Sequence, residues 1–385
     1  MVVLRYTGRD RPRLRPPPRC RRRRAGEPVS TQHPEVTVNT VTGSVPVSEL
    51  GMTLSHEHVW CDVTNYLWTP PEPWKRELAD QPVSAAMAWA LREDPFFHPD
   101  NCRLDSVPQA VAELQLFTEA GGRTVVDVST PGMGRDARRL QEVAQRSGTQ
   151  IIMGAGWYID PTHSAAVRAA DVHQLAGELI DEVTNGVDGT TARPGVLGEI
   201  GVSTTPTDSE TTCLRAAARA HVATGLPVFV HLDGWARAGH QVLDILQSEG
   251  ARADAVVLGH MNPSGSDLDY QASLAERGAW LGFDMTGMGF YYADHGGQSP
   301  APDDDARHIA RLVEAGLGHR VLVSHDVFVK AMWTAHGGNG YGYIPRLFLP
   351  RLHRRFGVAV EAAEALLTTN VKNLFISAVR GGDSA

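Results

Sequence analysis

Cysteines and long apolar runs are both scarce in this sequence. The 385 residues include four cysteines, at positions 20, 61, 102 and 213, and their spacings fit neither a C-x-x-C metal motif nor a disulfide framework. We therefore expect a reducing, cytoplasmic compartment. No apolar run approaches the roughly 18 to 20 residues that cross a membrane, so the sequence argues against a membrane-spanning protein.

Lysine is scarcer still, because Lys75, Lys330 and Lys372 are the only three in the chain. None of them falls in one of the apolar runs that predict strands. A barrel enzyme that works through a Schiff base needs a buried lysine on a strand, so the sequence argues against an aldolase of that type.

Positive charge is concentrated at the start of an otherwise acidic chain. The formal net charge is −8, and residues 1–24 hold ten Arg and one Asp, a net of +9; subtracting +9 from −8 leaves −17 for residues 25–385. An acidic body argues against nucleic-acid binding there. Residues 1–34 are predicted to be a disordered Arg- and Pro-rich tail, with a nucleic-acid or membrane tether as the alternative. We expect one folded domain over residues 35–380.

The chain is organised around Met52–His58, a short apolar run that ends in two histidines separated by one residue. Side chains at i and i+2 of a strand point to the same face, so His56 and His58 can reach one metal ion together. Imidazole is a common ligand of Zn²⁺ and related ions. A pair of structural histidines would give the same spacing. Cys61, three residues further on, is expected to pack behind the site, although a metal role is conceivable.

Seven more short apolar runs follow, and nearly all end in a polar or metal-binding residue type. They cover residues 123–128, 150–154, 195–199, 227–231, 255–260, 279–284 and 320–326. Continuous Val, Ile and Leu runs are typical of parallel strands that are buried on both faces, and segments of helical periodicity separate them. Eight such units predict an α/β fold, the (β/α)₈ TIM barrel, whose active site lies at the C-terminal ends of the strands.

Six side chains of ligand type fall at those ends. They are His56, His58, Glu199, His231, His260 and Asp326. Glu199 stands between glycines at the end of an apolar run, where burying a carboxylate without a partner costs several kcal/mol, so we expect it to bridge metals. On the last strand, His325 and Asp326 are adjacent and must point to opposite faces. We assign Asp326 to the barrel centre and expect His325 to be structural.

A long insertion, residues 59–103, follows the first strand and is rich in aromatic residues. It can wall the pocket or meet a partner subunit, which makes a homodimer an open prediction, and plain packing over the barrel rim is the alternative. Five other residues could line the substrate pocket: Trp157, Tyr158, Tyr291, Lys330 and Tyr341. Lys330 could hold an acidic group of the substrate, or could equally be a solvated surface charge.

Taken together, these motifs resemble the phosphotriesterase family of the amidohydrolase superfamily, over about residues 38–376. The resemblance is carried by T-L-S-H-E-H at 53–58, G-E-I-G at 198–201, the histidines that end strands 5 and 6, and S-H-D at 324–326. The N-C-R-L-D stretch at 101–105 and a G-Y-G-Y loop are similar to the phosphotriesterase-related and phosphotriesterase-homology branches.

The resemblance implies a ligand set for two metals. His56, His58 and Asp326 would bind the more buried ion, and His231 and His260 the more exposed one. The best-studied members bridge the ions with a carboxylated lysine, whereas Glu199 stands at that position here, as in the related-protein branch. This departure puts phosphotriester hydrolysis in question as the native activity.

The function that the resemblance implies is metal-dependent hydrolysis of a small molecule. Two divalent ions, Zn²⁺ first and Mn²⁺, Co²⁺ or Ni²⁺ as alternatives, would share a bridging hydroxide that attacks the substrate. Asp326 would be catalytic and carry the proton to the leaving group. We expect an ester, lactone or acyl-amide bond, with a phosphoester as a further candidate. The competing hypothesis is a non-catalytic, metal-containing barrel that serves as a binding module.

Overall fold

The computed structural model describes residues 35–292 and 297–379. The tail predicted for residues 1–34 lies outside the described residues. The strands in chain order are β1 (Thr37–Thr40), β2 (Gly43–Pro46), β3 (Met52–Glu57), β4 (Cys61–Asp62), β5 (Arg103–Leu104), β6 (Gly122–Asp127), β7 (Gln150–Ala155), β8 (Val196–Gly201), β9 (Val228–His231), β10 (Val256–Leu258), β11 (Trp280–Phe283), β12 (Tyr291–Tyr292), β13 (Gly297–Gln298) and β14 (Val321–Val323).

Eight of these strands form one parallel sheet, in the order β14-β11-β10-β9-β8-β7-β6-β3. The first and last strands approach each other at their C-terminal ends, where the amide of Asp326 donates to the carbonyl of His56 and that of His58 donates to Val327. The sheet is therefore a nearly closed barrel, and the predicted α/β barrel fold is confirmed.

The α-helices cover the barrel between successive strands. They are α1 (Pro73–Ala79), α2 (Ala88–Glu93), α3 (Val107–Glu119), α4 (Ala137–Ser147), α5 (Ala165–Ala169), α6 (Val172–Asn185), α7 (Asp208–Thr224), α8 (Gly239–Ser248), α9 (Leu268–Glu276), α10 (Pro302–Glu314), α11 (Leu349–Phe356), α12 (Val360–Ala365) and α13 (Thr369–Val379). Helix α7 has a capping box between Thr207 and Glu210 and ends at Gly225, whose φ of 71° suits glycine. None of the helices in the described residues has the length and apolarity that crossing a bilayer requires.

An apolar cluster fills the barrel interior below the site. One side chain from each of several strands contributes to it, among them Val126, Ile152, Phe229 and Trp280. The β1–β2 hairpin and helix α13 add residues such as Val38 and Phe375 to the same cluster, so they close the end of the barrel opposite the strand C-termini. This packed floor leaves the other end for a site.

The insertion after β3 contains more regular structure than expected. Strands β4 and β5 pair antiparallel at its two ends, with Asp62 opposite Arg103, and α1 and α2 lie between them. Two-residue strands leave no periodic pattern, which is why the sequence did not predict them.

Candidate metal centre

The six predicted ligand residues converge at the C-terminal end of the barrel. Two overlapping groups have ligand atoms within 4.8 Å of one another: His56, His58 and Asp326, and His56, Glu199 and His260. His231 joins them, with its Nδ1 3.4 Å from Glu199 Oε2 and 2.7 Å from His260 Nε2. All of these side chains are buried except His231, which is partly exposed to the cavity above.

Strand alternation explains the placement of the first two histidines. His56 and His58 face the barrel centre, and Glu57 between them points the other way. Its buried carboxylate accepts hydrogen bonds from Ser324 Oγ, from both the amide and Nδ1 of His325, and from the amide of Val327, at 2.7 to 2.8 Å. His325 therefore serves the structure, because it binds Glu57 and accepts from the amide of Ile344 through Nε2.

Two ligand-type residues adopt a backbone conformation that only glycine takes readily. His260 and Asp326 have φ values of 55° and 54°. Such conformations cost free energy, and they persist where the surroundings fix them. At His260 the fixing group is Asp284, whose Oδ1 accepts from both the backbone amide and the Nδ1 of the histidine, at 2.8 and 2.9 Å.

Asp284 is the functional residue to which the sequence analysis gave no role. Its second oxygen, Oδ2, lies 3.2 Å from His56 Nδ1, so one buried carboxylate lies against two imidazoles. A ring that donates from Nδ1 presents Nε2 as a lone pair to a metal. The signal was present, because Asp284 ends the seventh apolar run as the ligand types end the others. Ser129 plays the same part for His58, with its Oγ 2.9 Å from Nδ1.

The electrostatics of the cluster favour added positive charge. Burial lowers the pKa of His56, but Asp284, Glu199 and Asp326 outweigh it and raise that pKa to about 10. Burial raises the pKa of Glu199, and the nearby His231, His56 and His58 outweigh it and lower that pKa to about 2. Buried carboxylates that stay ionised need cations or strong donors around them.

The residues fit a metal on structural grounds. His56 Nε2 and Glu199 Oε2 are buried and have no hydrogen-bond partner. Such atoms are rare in native proteins unless something else satisfies them. Imidazole nitrogens and carboxylate oxygens are the donor types that Zn²⁺ and its neighbours in the first transition row accept.

A cavity of about 780 Å³ opens above the cluster, which puts the ligand-type side chains at its base. Tyr158 and Tyr291 line this cavity, and the insertion contributes Tyr66, Trp68 and Phe96 to its wall. The hydroxyls of Tyr66 and Tyr158 lie 2.7 Å apart, and that of Tyr158 is 3.5 Å from His231 Nε2.

Three predicted pocket residues lie elsewhere. Lys330 is buried in ion pairs with Asp100 and Asp105, so it is neither a pocket residue nor a solvated charge. Tyr341 is fully buried and donates its hydroxyl proton to the carbonyl of His58 at 2.7 Å, so it packs behind the site. Trp157 is half-buried and does not line the cavity.

An eight-stranded parallel barrel with a buried imidazole and carboxylate cluster beneath a cavity is the architecture of hydrolases of the amidohydrolase superfamily. The model of the phosphotriesterase family matches residues 36–375, and the chain belongs to that family. The resemblance seen in the sequence is thus confirmed, and the protein is a hydrolase of this family.

Known relatives extend the likeness over most of the chain. N-acetyltaurine hydrolase of Rattus norvegicus is 35% identical over 338 residues, which cover 87% of this chain and 96% of the rat protein. The solved structure of a resiniferatoxin-binding protein from Rhodobacter sphaeroides is 46% identical, with a TM-score of 0.86, over 88% of this chain and 94% of that one. The phosphotriesterase homology protein of Escherichia coli, solved with phosphate in its active site, is 27% identical with a TM-score of 0.71, over 85% and 99%.

Proposed function

We propose that the protein is a dinuclear metal-dependent hydrolase that cleaves an acyl-amide, ester or lactone bond. The observation that carries the proposal is the convergence of six ligand-type side chains at the base of the cavity, two of them with unpartnered buried atoms aimed into the cluster. A barrel that only bound a ligand would have no need for such a costly arrangement of charge.

Glu199 supports the assignment of two ions. Its Oε1 lies 3.5 Å from His58 Nε2, and its Oε2 lies 3.4 Å from His231 Nδ1, so the two oxygens face different histidines. We assign His56, His58 and Asp326 to one ion and His231 and His260 to the other, with Glu199 shared between them. His58 Nε2 is 3.2 Å from Asp326 Oδ1, which is consistent with a common ion.

The chemistry follows from what lines the base of the cavity. Bound divalent ions would supply Lewis acidity and ionise a water molecule near neutral pH. Asp326 reaches both the cluster and the cavity, so its carboxylate is placed to accept the proton of that water and hand it to the leaving group.

Tyr158 is proposed to bind the substrate oxygen. A His231 that binds metal through Nδ1 carries its proton on Nε2, which faces the Tyr158 oxygen at 3.5 Å. Tyr66 can donate to the same oxygen from 2.7 Å. With both donors in place, the hydroxyl proton of Tyr158 is left for an acceptor in the cavity. Tyr291 lines the same cavity and would contact the rest of the substrate.

The known relatives support some of the candidate scissile bonds more than others. The rat protein named for N-acetyltaurine hydrolysis supports an acyl-amide first. The phosphate in the Escherichia coli structure supports a phosphoester as a second candidate. The Rhodobacter protein is named for binding, and this supports the binding module as the remaining alternative.

The test of the proposal is the metal content of the purified protein by elemental mass spectrometry. We expect about two metal ions per chain, zinc before manganese, cobalt or nickel, and a fall in content for Glu199→Ala but not for the surface variant Glu142→Ala. Asp326→Asn should keep the fold and the shared Glu199 ligand while turnover of amide and ester substrates falls by at least about 100-fold. Near-zero metal that added Zn²⁺ or Mn²⁺ does not restore would reject the mechanism.

Compartment and assembly complete the proposal. Cys61, Cys102 and Cys213 are buried and form no disulfide, which supports a reducing cytoplasm.

Trp74 and Trp89 are exposed and stack on each other with ring centroids 5.4 Å apart, which supports a homodimer through the insertion. Light scattering on the purified protein would measure its molar mass and so test the homodimer.

A further inference from the structure

The wall of the cavity above the cluster carries more negative than positive charge. Glu93, Asp94 and Asp233 line it, in addition to the Glu199 and Asp326 of the base. Among the lining residues that the structure describes, Lys75 is the one cation apart from the histidines of the cluster. The described part of the wall therefore carries a net negative formal charge, which disfavours an anion.

The ammonium group of Lys75 already interacts with protein side chains. Its Nζ lies 2.9 Å from Asp94 Oδ2 and 3.8 Å from Glu72 Oε2. It also lies over the rings of Trp68 and Trp74, at 5.3 and 5.8 Å from their centroids. An anionic substrate would have to compete with Asp94 for this ammonium group.

Aromatic rings make up much of the remaining wall. Tyr66 stacks on Phe96 at 4.9 Å between ring centroids, and Phe96 stacks on Phe328 at 6.0 Å. Tyr292 continues the row, at 6.4 Å from Phe96 and 5.3 Å from Trp235. Such a surface gains free energy from burying apolar groups, and its rings carry no formal positive charge to pair with a sulfonate or a carboxylate.

We propose that the native substrate is uncharged and carries a bulky apolar group that lies on this aromatic row, rather than being an anionic N-acyl amino acid or N-acyl sulfonate. The inference rests on the proposed function, because it takes the scissile carbonyl to lie at the metal-binding base. A charged group several bonds from that carbonyl then lies against the acidic wall. A cavity of this volume also belongs to the range that holds drug-sized ligands.

The test compares substrates that differ in one charged group. N-ethyloctanamide and N-octanoyltaurine share the acyl group and the amide bond, and only the second has a sulfonate. Ethyl octanoate and 2-sulfoethyl octanoate give the same comparison for an ester. With the full-length, metal-loaded enzyme we expect kcat/KM to be at least about tenfold higher for the uncharged member of the pair that is cleaved. Equal values, or a preference for the sulfonate, would overturn the proposal.

A pair of variants tests the part played by Lys75. Asp94→Asn releases the ammonium group, so we expect it to reduce the preference for the uncharged substrate severalfold. Glu72→Gln is the matched control, because Glu72 lies further from Lys75 and does not line the cavity. A preference that does not change in Asp94→Asn would contradict the argument.

A binding measurement separates this proposal from the proposed function. Calorimetry with metal-loaded Asp326→Asn protein reports affinity without turnover. If no amide or ester is hydrolysed by the parent enzyme but N-ethyloctanamide binds more tightly than N-octanoyltaurine, the hydrolase proposal fails and the inference about the cavity stands. Tighter binding of the sulfonate, or binding of neither compound, contradicts the inference.

Discussion

At the scale of single residues, Asp284 fixes the orientation of two histidines of the cluster. Oδ1 accepts from Nδ1 and from the amide of His260, where the backbone φ is positive, and Oδ2 lies 3.2 Å from Nδ1 of His56. Both rings are thereby turned with Nε2 toward the cluster. The residue needs no contact with a metal to control how well one is bound.

Replacing Asp284 by Asn should therefore weaken metal binding. An amide can accept a hydrogen bond from only one of the two imidazoles, and it presents an N–H donor to the other. We therefore expect the affinity for the metal to fall by about 10- to 100-fold. Competition with a chromogenic chelator measures the change. Asp254→Asn is the control, because Asp254 pairs with Arg252 before the N-terminal end of β10, whereas the cluster lies at the C-terminal ends of the strands. An unchanged affinity in Asp284→Asn would remove this role.

At the scale of secondary-structure elements, closure of the barrel depends on β3 and β14. The strands of this pair are joined through side chains as well as backbone, since Ser324 Oγ and the amides of His325 and Val327 all donate to Glu57. Because Glu57 is fully buried, its removal would leave these donors without partners.

We expect Glu57→Ala to lower the free energy of unfolding by about 3–5 kcal/mol. Urea denaturation followed by tryptophan fluorescence would measure it, with exposed Glu49→Ala as the control. If the free energy of unfolding fell by less than about 1 kcal/mol, as it does for an ordinary surface substitution, the strands would close without this carboxylate.

The elements also show what local pattern can predict. All eight barrel strands were predicted within a few residues, because apolar runs buried on both faces are visible in sequence, and the ligand types were found because they follow those runs. Lys330 and Tyr341 could not be placed in this way. Their partners Asp100 and His58 are 230 and 283 residues distant in the chain, so only the folded structure determines that they are buried. Helical periodicity predicts one helix over 164–187 and one over 361–375, whereas the structure has two helices in each region, α5 and α6 in the first and α12 and α13 in the second.

At the scale of the whole molecule, Asp305 gives the stability a dependence on pH. It is fully buried in the first turn of α10, and burial raises its pKa well above the usual range, although the Asn262 amide opposes this. An acid whose pKa is higher in the folded state binds its proton more tightly there. Stability is therefore greatest below the unfolded pKa and falls as the pH rises toward the folded pKa.

Asp305→Asn removes this loss of stability at high pH, because an amide side chain does not ionise. We expect the variant to be more stable than the parent at pH 8, with a difference that shrinks as the pH falls toward 4. Thermal unfolding of both proteins at each pH measures this, and effects of pH on the rest of the chain cancel in the difference. A difference in stability that stayed constant with pH, or widened in acid, would contradict the pH dependence assigned to Asp305.

The cluster takes His56 from the first barrel strand and Asp326 from just after the last. A chain still being made on the ribosome has the first two histidines early, but it lacks their carboxylate partner until nearly the whole protein has emerged. Glu57 likewise waits for Ser324 and His325 before its charge is compensated. A translation product truncated before Asp326 therefore lacks one of the ligand-type residues that the proposed metal site requires.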